Sequence, residues 1–207
     1  MLLLSGESVI RRVPNPYAAI LALLLAGSIA GCDREKQAGG QAGQDQANVS
    51  AGQAKGLGQF EYIIDRSHKG EAAPTVAFRG PDDAAVTLAA FRGRPLLVNL
   101  WATWCAPCVA EMPTLDTLAA ARAERLTVIA VAQDLQGAAI VDPWFQKARL
   151  TTLQPYLDPE NGLLDAANSA LPTSILYDAG GQEVWRVVGA IDWEGKEAAA
   201  LLAEAGV

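Results

Sequence analysis

The stretch LLVNLWATWCAPCVAEMP, residues 96–113, decides the fold of this 207-residue chain. Its first six residues form an apolar run of the kind found in a central strand that is buried on both faces. After the two cysteines, apolar residues recur at helical spacing, at Val109, Met112 and Leu115. Cys105 and Cys108 therefore lie at a strand-to-helix turn, nearly one helical turn apart, where their sulfurs are close enough to bond.

This position indicates different roles for the two cysteines. The partial positive charge of a helix N-terminus stabilises a thiolate, so we expect Cys105 to be exposed and nucleophilic. Cys108 should be buried and should resolve a mixed disulfide. Pro107 is tolerated because a first-turn N–H has no partner within the helix. Glu111 is either a partly buried carboxyl with a raised pKa that exchanges protons with Cys108 or a solvated surface glutamate, and spacing alone does not separate these alternatives.

A structural zinc site is disfavoured because it needs four ligands. Apart from the cysteine pair, the sequence offers only Cys32 and His68, both outside the expected domain. We therefore predict no metal site and a solvated His68. Two inert core thiols remain an alternative, although this would leave their place at a strand-to-helix turn unexplained.

Composition and periodicity extend the interpretation to the whole chain. A formal net charge of −7 argues against nucleic acid as a partner. The patterns predict strands over 75–79, 85–88, 96–101, 126–133, 173–178 and 183–189, and helices over 106–124, 137–149, 161–169 and 193–205. This order requires parallel strands with a crossover, followed by an antiparallel hairpin. The fold class is therefore α/β, a mixed central sheet with helices on both faces.

The opening stretch resembles the active-site segment of the thioredoxin-like TlpA/ResA/CcmG (DsbE) group, which are membrane-tethered disulfide reductases. W-C-x-P-C carries the resemblance together with the preceding V-N-x-W strand and the following E-M-P. The resemblance covers roughly residues 74–207 and implies a thioredoxin fold with an N-terminal β extension. It implies that Cys105 attacks, Cys108 resolves, and Trp104 shields the disulfide and contacts substrate. Glu111 matches an acidic residue of the group, and Asn99 stands where thioredoxin has a buried aspartate.

The resemblance also implies a cis-proline that faces the cysteines. Leu171-Pro172, directly before the strand predicted over 173–178, supplies it. Without the resemblance a trans bond would be the default. The backbone of Leu171 would then pair with an extended substrate segment. The turn over 189–191 should also border the site.

The first 32 residues are predicted to be an export signal rather than part of the domain. Arg11 and Arg12 precede an uncharged stretch, residues 17–30, that is too short for a comfortable membrane span. Residues 29–32, Ile-Ala-Gly-Cys, resemble the bacterial lipobox, which would make Cys32 the lipid-attachment residue. An uncleaved anchor, or cleavage after Ala30 to give a soluble protein, are the alternatives. We predict a signal peptide over 1–32, a flexible linker over 33–73 and the thioredoxin-like domain over 74–207.

Together these features predict an extracytoplasmic protein-disulfide reductase, anchored in the bacterial cell envelope. The resemblance suggests apocytochrome c, a copper chaperone or an oxidase subunit as substrates, and a membrane thiol-electron donor as the source of electrons. No G-x-G-x-x-G motif is present, so we expect no nicotinamide or flavin cofactor. A thiol oxidase that inserts disulfides and a tethered copper(I)-handling module remain alternatives.

Overall fold

The computed structural model of the chain describes residues 54–55 and 60–207. The predicted export signal, Cys32 and most of the predicted linker lie outside these residues and stay predictions. Across the part that is described, no helix is both long enough and apolar enough to cross a membrane.

A mixed β-sheet forms the centre of the described chain. Its strands are β1 (Ala54–Lys55), β2 (Glu61–Asp65), β3 (Ala77–Arg79), β4 (Ala85–Thr87), β5 (Leu96–Trp101), β6 (Thr127–Ala132), β7 (Pro155–Leu157), β8 (Thr173–Tyr177) and β9 (Glu183–Gly189). Within the described residues their spatial order is β1-β2-β9-β8-β5-β6-β7-β3-β4. Strands β5, β6 and β7 are parallel, and the other neighbours are antiparallel. The predicted mixed sheet is confirmed.

Four α-helices and one 3₁₀ helix accompany the described strands. They are the 3₁₀ helix Leu88–Phe91, α1 (Ala106–Arg122), α2 (Ala138–Ala148), α3 (Gly162–Ala167) and α4 (Lys196–Ala203). Side chains of β5 alternate between the two faces of the sheet. Leu97 and Trp101 pack in one core with α1 and α4, whereas Val98 packs in the other core with α3 and the β3–β4 hairpin. Helices on both faces and the N-terminal β extension are therefore confirmed.

The predicted linker over 33–73 is wrong at its C-terminal end. Residues 61–65 form β2, which pairs antiparallel with β9, and Tyr62 is buried in the same core as residues of α1 and α4. The segment that follows is also fixed, because Gly70 N–H donates to Glu183 O at 2.7 Å and Ala73 N–H to Gly181 O at 2.9 Å. The apolar part of β2 is too short to show a period by itself. Its partner, β9, lies more than a hundred residues away along the chain.

Outside the predicted linker, two further elements were not predicted. Strand β7 has only three residues and begins with Pro155, a residue type that disfavours strands. The 3₁₀ helix begins at Leu88, which the pattern assigns to the preceding strand. Both are short elements whose conformation depends on neighbouring strands more than on local pattern.

Gly189, the last residue of β9, has no room for a side chain because β2 packs against it. It has a φ of +104°, and a Cβ atom there would lie 2.8 Å from Tyr62 Cα. Gly93 has a φ of +102°, but its Cβ position has nothing within 4 Å. We expect Gly93→Ala to cost about 1–2 kcal/mol through backbone strain. Gly189→Ala should cost at least about 2 kcal/mol more because β2 must move.

Urea unfolding of the two variants measures this difference. Equal losses of stability in Gly93→Ala and Gly189→Ala would contradict the packing of β2 against Gly189.

Candidate active site

The two cysteines lie at the first turn of α1, as predicted, and form a disulfide with 5.3 Å between their Cα atoms. Cys105 is the N-cap residue, and its sulfur accepts a hydrogen bond from Cys108 N–H at 3.3 Å. Pro107 occupies the first turn. Cys108 is fully buried, which confirms that prediction, whereas Cys105 has only 6% of its surface exposed. The expectation of an exposed Cys105 is wrong in this oxidised form, because the bond to Cys108 holds its sulfur against the core.

Trp104 and the Leu171-Pro172 peptide lie at the same end of the sheet as the cysteines. Trp104 directly precedes Cys105 and is 70% exposed. Its predicted contact with substrate and its shielding of the disulfide stay predictions. The Leu171-Pro172 bond is cis, as predicted. Thr173 follows this bond and pairs with Leu100, so Pro172 lies at the end of β5 from which the cysteine turn departs. The substrate contacts of Leu171 and Pro172 also stay predictions.

Glu111 is fully buried, so the alternative of a solvated surface glutamate is wrong. Asn99 Nδ2 donates to its Oε1 at 2.7 Å, and Ile191 N–H donates to its Oε2 at 3.2 Å. Burial raises the pKa of Glu111 to about 8, because the charged form loses its hydration. The donors from Asn99 and Ile191 lower the pKa, but by less than burial raises it. The contact with Ile191 brings the 189–191 turn to the site, as predicted.

Asn99 connects Glu111 to a residue that the sequence analysis missed. Asn99 is fully buried, and its Nδ2 also donates to Ser174 Oγ at 2.9 Å. Neither Asn99 Oδ1 nor Trp193 Nε1 has a hydrogen-bond partner among the described residues. The indole of Trp193 is nevertheless near enough to lower the pKa of Glu111. The sequence predicts a strand at Ser174, but its position opposite Asn99 is known only from the strand order of the structure.

Asp134 is a second missed residue. It follows β6 and accepts hydrogen bonds from Thr103 N–H at 3.0 Å and from Thr103 Oγ1 at 2.6 Å. These bonds join the β6–α2 loop to the turn that carries Cys105. The position of Asp134 in the sequence could have indicated this contact. Residues that follow neighbouring parallel strands meet at the same edge of a sheet, and Thr103 and Asp134 follow β5 and β6.

His68 lies at the surface, as predicted, with its Nδ1 3.0 Å from Glu71 Oε2. Nowhere among the described residues do three or more His, Cys, Asp or Glu side chains form a group that could hold a metal ion.

The residues that form this site lie in a region that matches a known protein family. The Redoxin family matches residues 68–202, which is more than half of the chain. The chain belongs to the Redoxin family. Its residues 68–202 include the cysteine pair, Glu111 and Pro172, so the family covers the whole site described above.

Similar proteins agree with the predicted resemblance. The chain is 32% identical to a thioredoxin of Mycolicibacterium smegmatis over 111 residues, which are 53% of this chain and 97% of that protein. It is 36% identical to the thiol-disulfide oxidoreductase ResA of Oceanobacillus iheyensis over 92 residues, 42% and 47% of the two chains. It is 49% identical to the thiol:disulfide interchange protein DsbE of Pseudomonas fluorescens biotype C over 49 residues, which are 22% of this chain and 28% of that protein. The matches with ResA and DsbE span less than half of those proteins.

Solved structures show the same fold. A proposed thiol:disulfide interchange protein DsbE from Chlorobium tepidum has a TM-score of 0.60 and 24% identity, covering 66% of this chain and 96% of that one. DsbF of MTB has a TM-score of 0.55 and 19% identity, covering 64% of this chain and 98% of that one. The predicted thioredoxin fold is confirmed for this Redoxin chain.

Glu111 makes the stability of the oxidised protein depend on pH. The folded state keeps this proton up to about pH 8, whereas the ordinary value of 4.5 applies after unfolding. The contribution of Glu111 to stability is therefore largest below about pH 4.5 and falls by about 1.4 kcal/mol per pH unit until about pH 8. Glu111→Gln should remove this slope, as measured by urea unfolding across that range.

Asp116, a second buried carboxylate on α1, provides the control. Burial raises its pKa, but hydrogen bonds from the backbone of Leu153, Thr151 and Thr152 lower it more, so it stays ionised over this range. Asp116→Asn should reduce stability by an amount that does not vary between about pH 5 and 8. A wild-type slope that persists in Glu111→Gln would contradict the assignment.

Proposed function

We propose that this Redoxin chain is a thiol–disulfide oxidoreductase that acts through Cys105 and Cys108. The observation that carries the proposal is the disulfide at the first turn of α1 with a buried carboxyl, Glu111, on the same helix. The names of the similar proteins, which include thiol-disulfide oxidoreductase and thiol:disulfide interchange protein, support it.

The reaction begins with the reduced pair. The Cys105 thiolate attacks one sulfur of a partner disulfide, a mixed disulfide forms, and the first partner thiolate leaves. The Cys108 thiolate then attacks Cys105 Sγ, the Cys105–Cys108 disulfide forms, and the second partner thiolate leaves. Two electrons pass to the partner, and the two protons lost by the protein dithiol are balanced by those gained by the two product thiols. The Cys108 N–H and the N-terminus of α1 stabilise the Cys105 thiolate.

Glu111 has the properties of the proton acceptor for Cys108. Cys108 is fully buried, so its thiol has no direct contact with water to which it could lose a proton. Glu111 lies three residues further along α1, on the same side of the helix. A carboxyl whose pKa is about 8 changes its protonation near neutral pH, as an efficient general base must. Asn99 and Ile191 hold its two oxygens in place.

We infer that the protein works as a reductase. Ala106 and Pro107, between the two cysteines, offer no positive charge that would stabilise the reduced form and make the disulfide oxidising. The resemblance suggests cysteines of apocytochrome c, of a copper chaperone or of an oxidase subunit as substrates. A membrane thiol-electron donor would reduce the pair again.

The proposed location is the outer side of a bacterial membrane, with the domain held in the cell envelope by a lipid on Cys32. The support is the apolar run over 17–30 and the lipobox-like residues 29–32. Exported proteins would then be the available substrates.

The reduction potential tests the direction of the reaction. We expect a value well below about −200 mV, from equilibration with a glutathione buffer. Pro107→His, which places a positive charge beside the Cys105 thiolate, should raise the potential. A wild-type reduction potential of about −120 mV would show that the protein is an oxidase instead.

Trapping tests both the activity and the location. Cys108→Ser should leave partners covalently attached to Cys105, because the second attack is lost. Cys105→Ser should capture far less, since Cys108 is fully buried. Non-reducing gels and mass spectrometry of partners captured in cells expressing the full chain measure this. Equal capture by both variants would contradict the assigned roles, and capture of cytoplasmic proteins alone would contradict the location.

A further inference from the structure

Exposed apolar side chains are concentrated beside the cysteine pair. Four large apolar side chains are exposed in the described chain, and three of them, Trp104 (70%), Leu135 (74%) and Ile140 (39%), line one cleft. Thr103, Asp134 and Gln136 complete its lining. We call this the Trp104 cleft, and its volume is about 270 Å³. A contiguous apolar surface next to a reactive group marks a binding surface more often than scattered apolar residues do.

The Trp104 cleft is held rigidly relative to Cys105. Trp104 follows β5 and Leu135 follows β6, so both lie at the carboxyl edge of these parallel strands. The pairing continues beyond the strands, because Gln133 N–H donates to Trp101 O at 2.8 Å. Both carboxylate oxygens of Asp134 accept hydrogen bonds from Thr103, two residues before Cys105. Leu135 is therefore anchored, through its neighbour in sequence, to the turn that carries the nucleophile.

The chemistry of the lining selects an apolar occupant. Asp134 is the charged residue of the lining, and its two oxygens are already bound by Thr103. Asp134 keeps its negative charge but is only 4% exposed, so it offers little to an ionic group and the large exposed side chains of the lining are apolar. The volume is just below the range of about 300–1,000 Å³ typical of small-molecule sites. One large side chain of a polypeptide suits this space better than a cofactor does.

The limited access to Cys105 indicates which residue of the substrate supplies that side chain. In the disulfide form only 6% of the surface of Cys105 is exposed, so a partner thiol that reacts with this disulfide must present its sulfur at a narrow opening. Residues beside the partner cysteine then lie over Trp104, which is adjacent to Cys105 in the chain. We propose that the Trp104 cleft binds an apolar side chain next to the substrate cysteine and that Leu135 and Ile140 determine this specificity. The inference rests on the proposed function and adds a substrate class to it, proteins whose reactive cysteine has an apolar neighbour.

Two symmetrical peptide disulfides that differ at one position test the inference. One carries Leu beside its cysteine and the other carries Ser, and 2-hydroxyethyl disulfide serves as a small probe without side chains. The second-order rate of oxidation of the reduced protein is followed by tryptophan fluorescence. We expect the wild type to prefer the Leu peptide roughly tenfold, the effect of a small apolar group in an apolar pocket. Leu135→Ser/Ile140→Ser should abolish the preference, and Leu135→Ser alone, in a loop, should reduce it.

Ile63, the remaining exposed large apolar residue, provides the matched control, because it lies on β2, three strands away from β5. Ile63→Ser should keep the preference, and all variants should react with 2-hydroxyethyl disulfide at the wild-type rate. An unchanged preference in Leu135→Ser/Ile140→Ser, or its equal loss in Ile63→Ser, would overturn the inference. A wild type that reacts with 2-hydroxyethyl disulfide but shows no preference overturns this inference alone. A wild type that reduces none of the three disulfides overturns the proposed function as well.

Discussion

The burial of one carboxyl group, that of Glu111, is the constraint on which the site depends. A carboxyl without contact to water is costly to ionise unless donors surround it. Here the donors come from distant parts of the chain, the side chain of Asn99 on β5 and the backbone of Ile191 after β9. The group therefore holds α1, the central strand and the end of the hairpin together. Two donors are enough to keep it in place but leave its pKa near neutrality.

A comparison within α1 shows why the number of donors matters. Asp116 is also buried, yet it accepts four hydrogen bonds, from Thr151, Thr152 and Leu153, at 2.8 to 3.0 Å. Its pKa is lowered, so it stays charged and fixes the segment after α2 to α1. Glu111 has fewer donors and a raised pKa. The same helix thus carries one carboxylate suited to holding structure and one suited to exchanging a proton with Cys108.

The parts of the fold that could be predicted are those in which a local pattern and the global fold agree. Strand β5, α1 and β9 each have a run long enough to show its period, and the cysteine pair follows from the turn between the first two. Strand β2 was missed because its environment comes from β9, far along the chain. The cleft contributed by Leu135 and Ile140 was missed for a related reason. An apolar residue in a sequence does not reveal whether the fold leaves it exposed.

Strand β2, which the sequence assigned to a linker, supports the site through one glycine. Gly189 ends β9, pairs with Tyr62 of β2, and donates its N–H to Pro172 O at 2.8 Å. Two residues further on, Ile191 N–H binds Glu111. The edge strand, the cis-proline and the buried carboxyl are thus joined within three residues. Because Gly189 leaves no space for a Cβ atom beside Tyr62, the position of β2 sets the position of the turn that follows β9. The N-terminal extension is therefore a structural part of the site, although it contributes no reacting group.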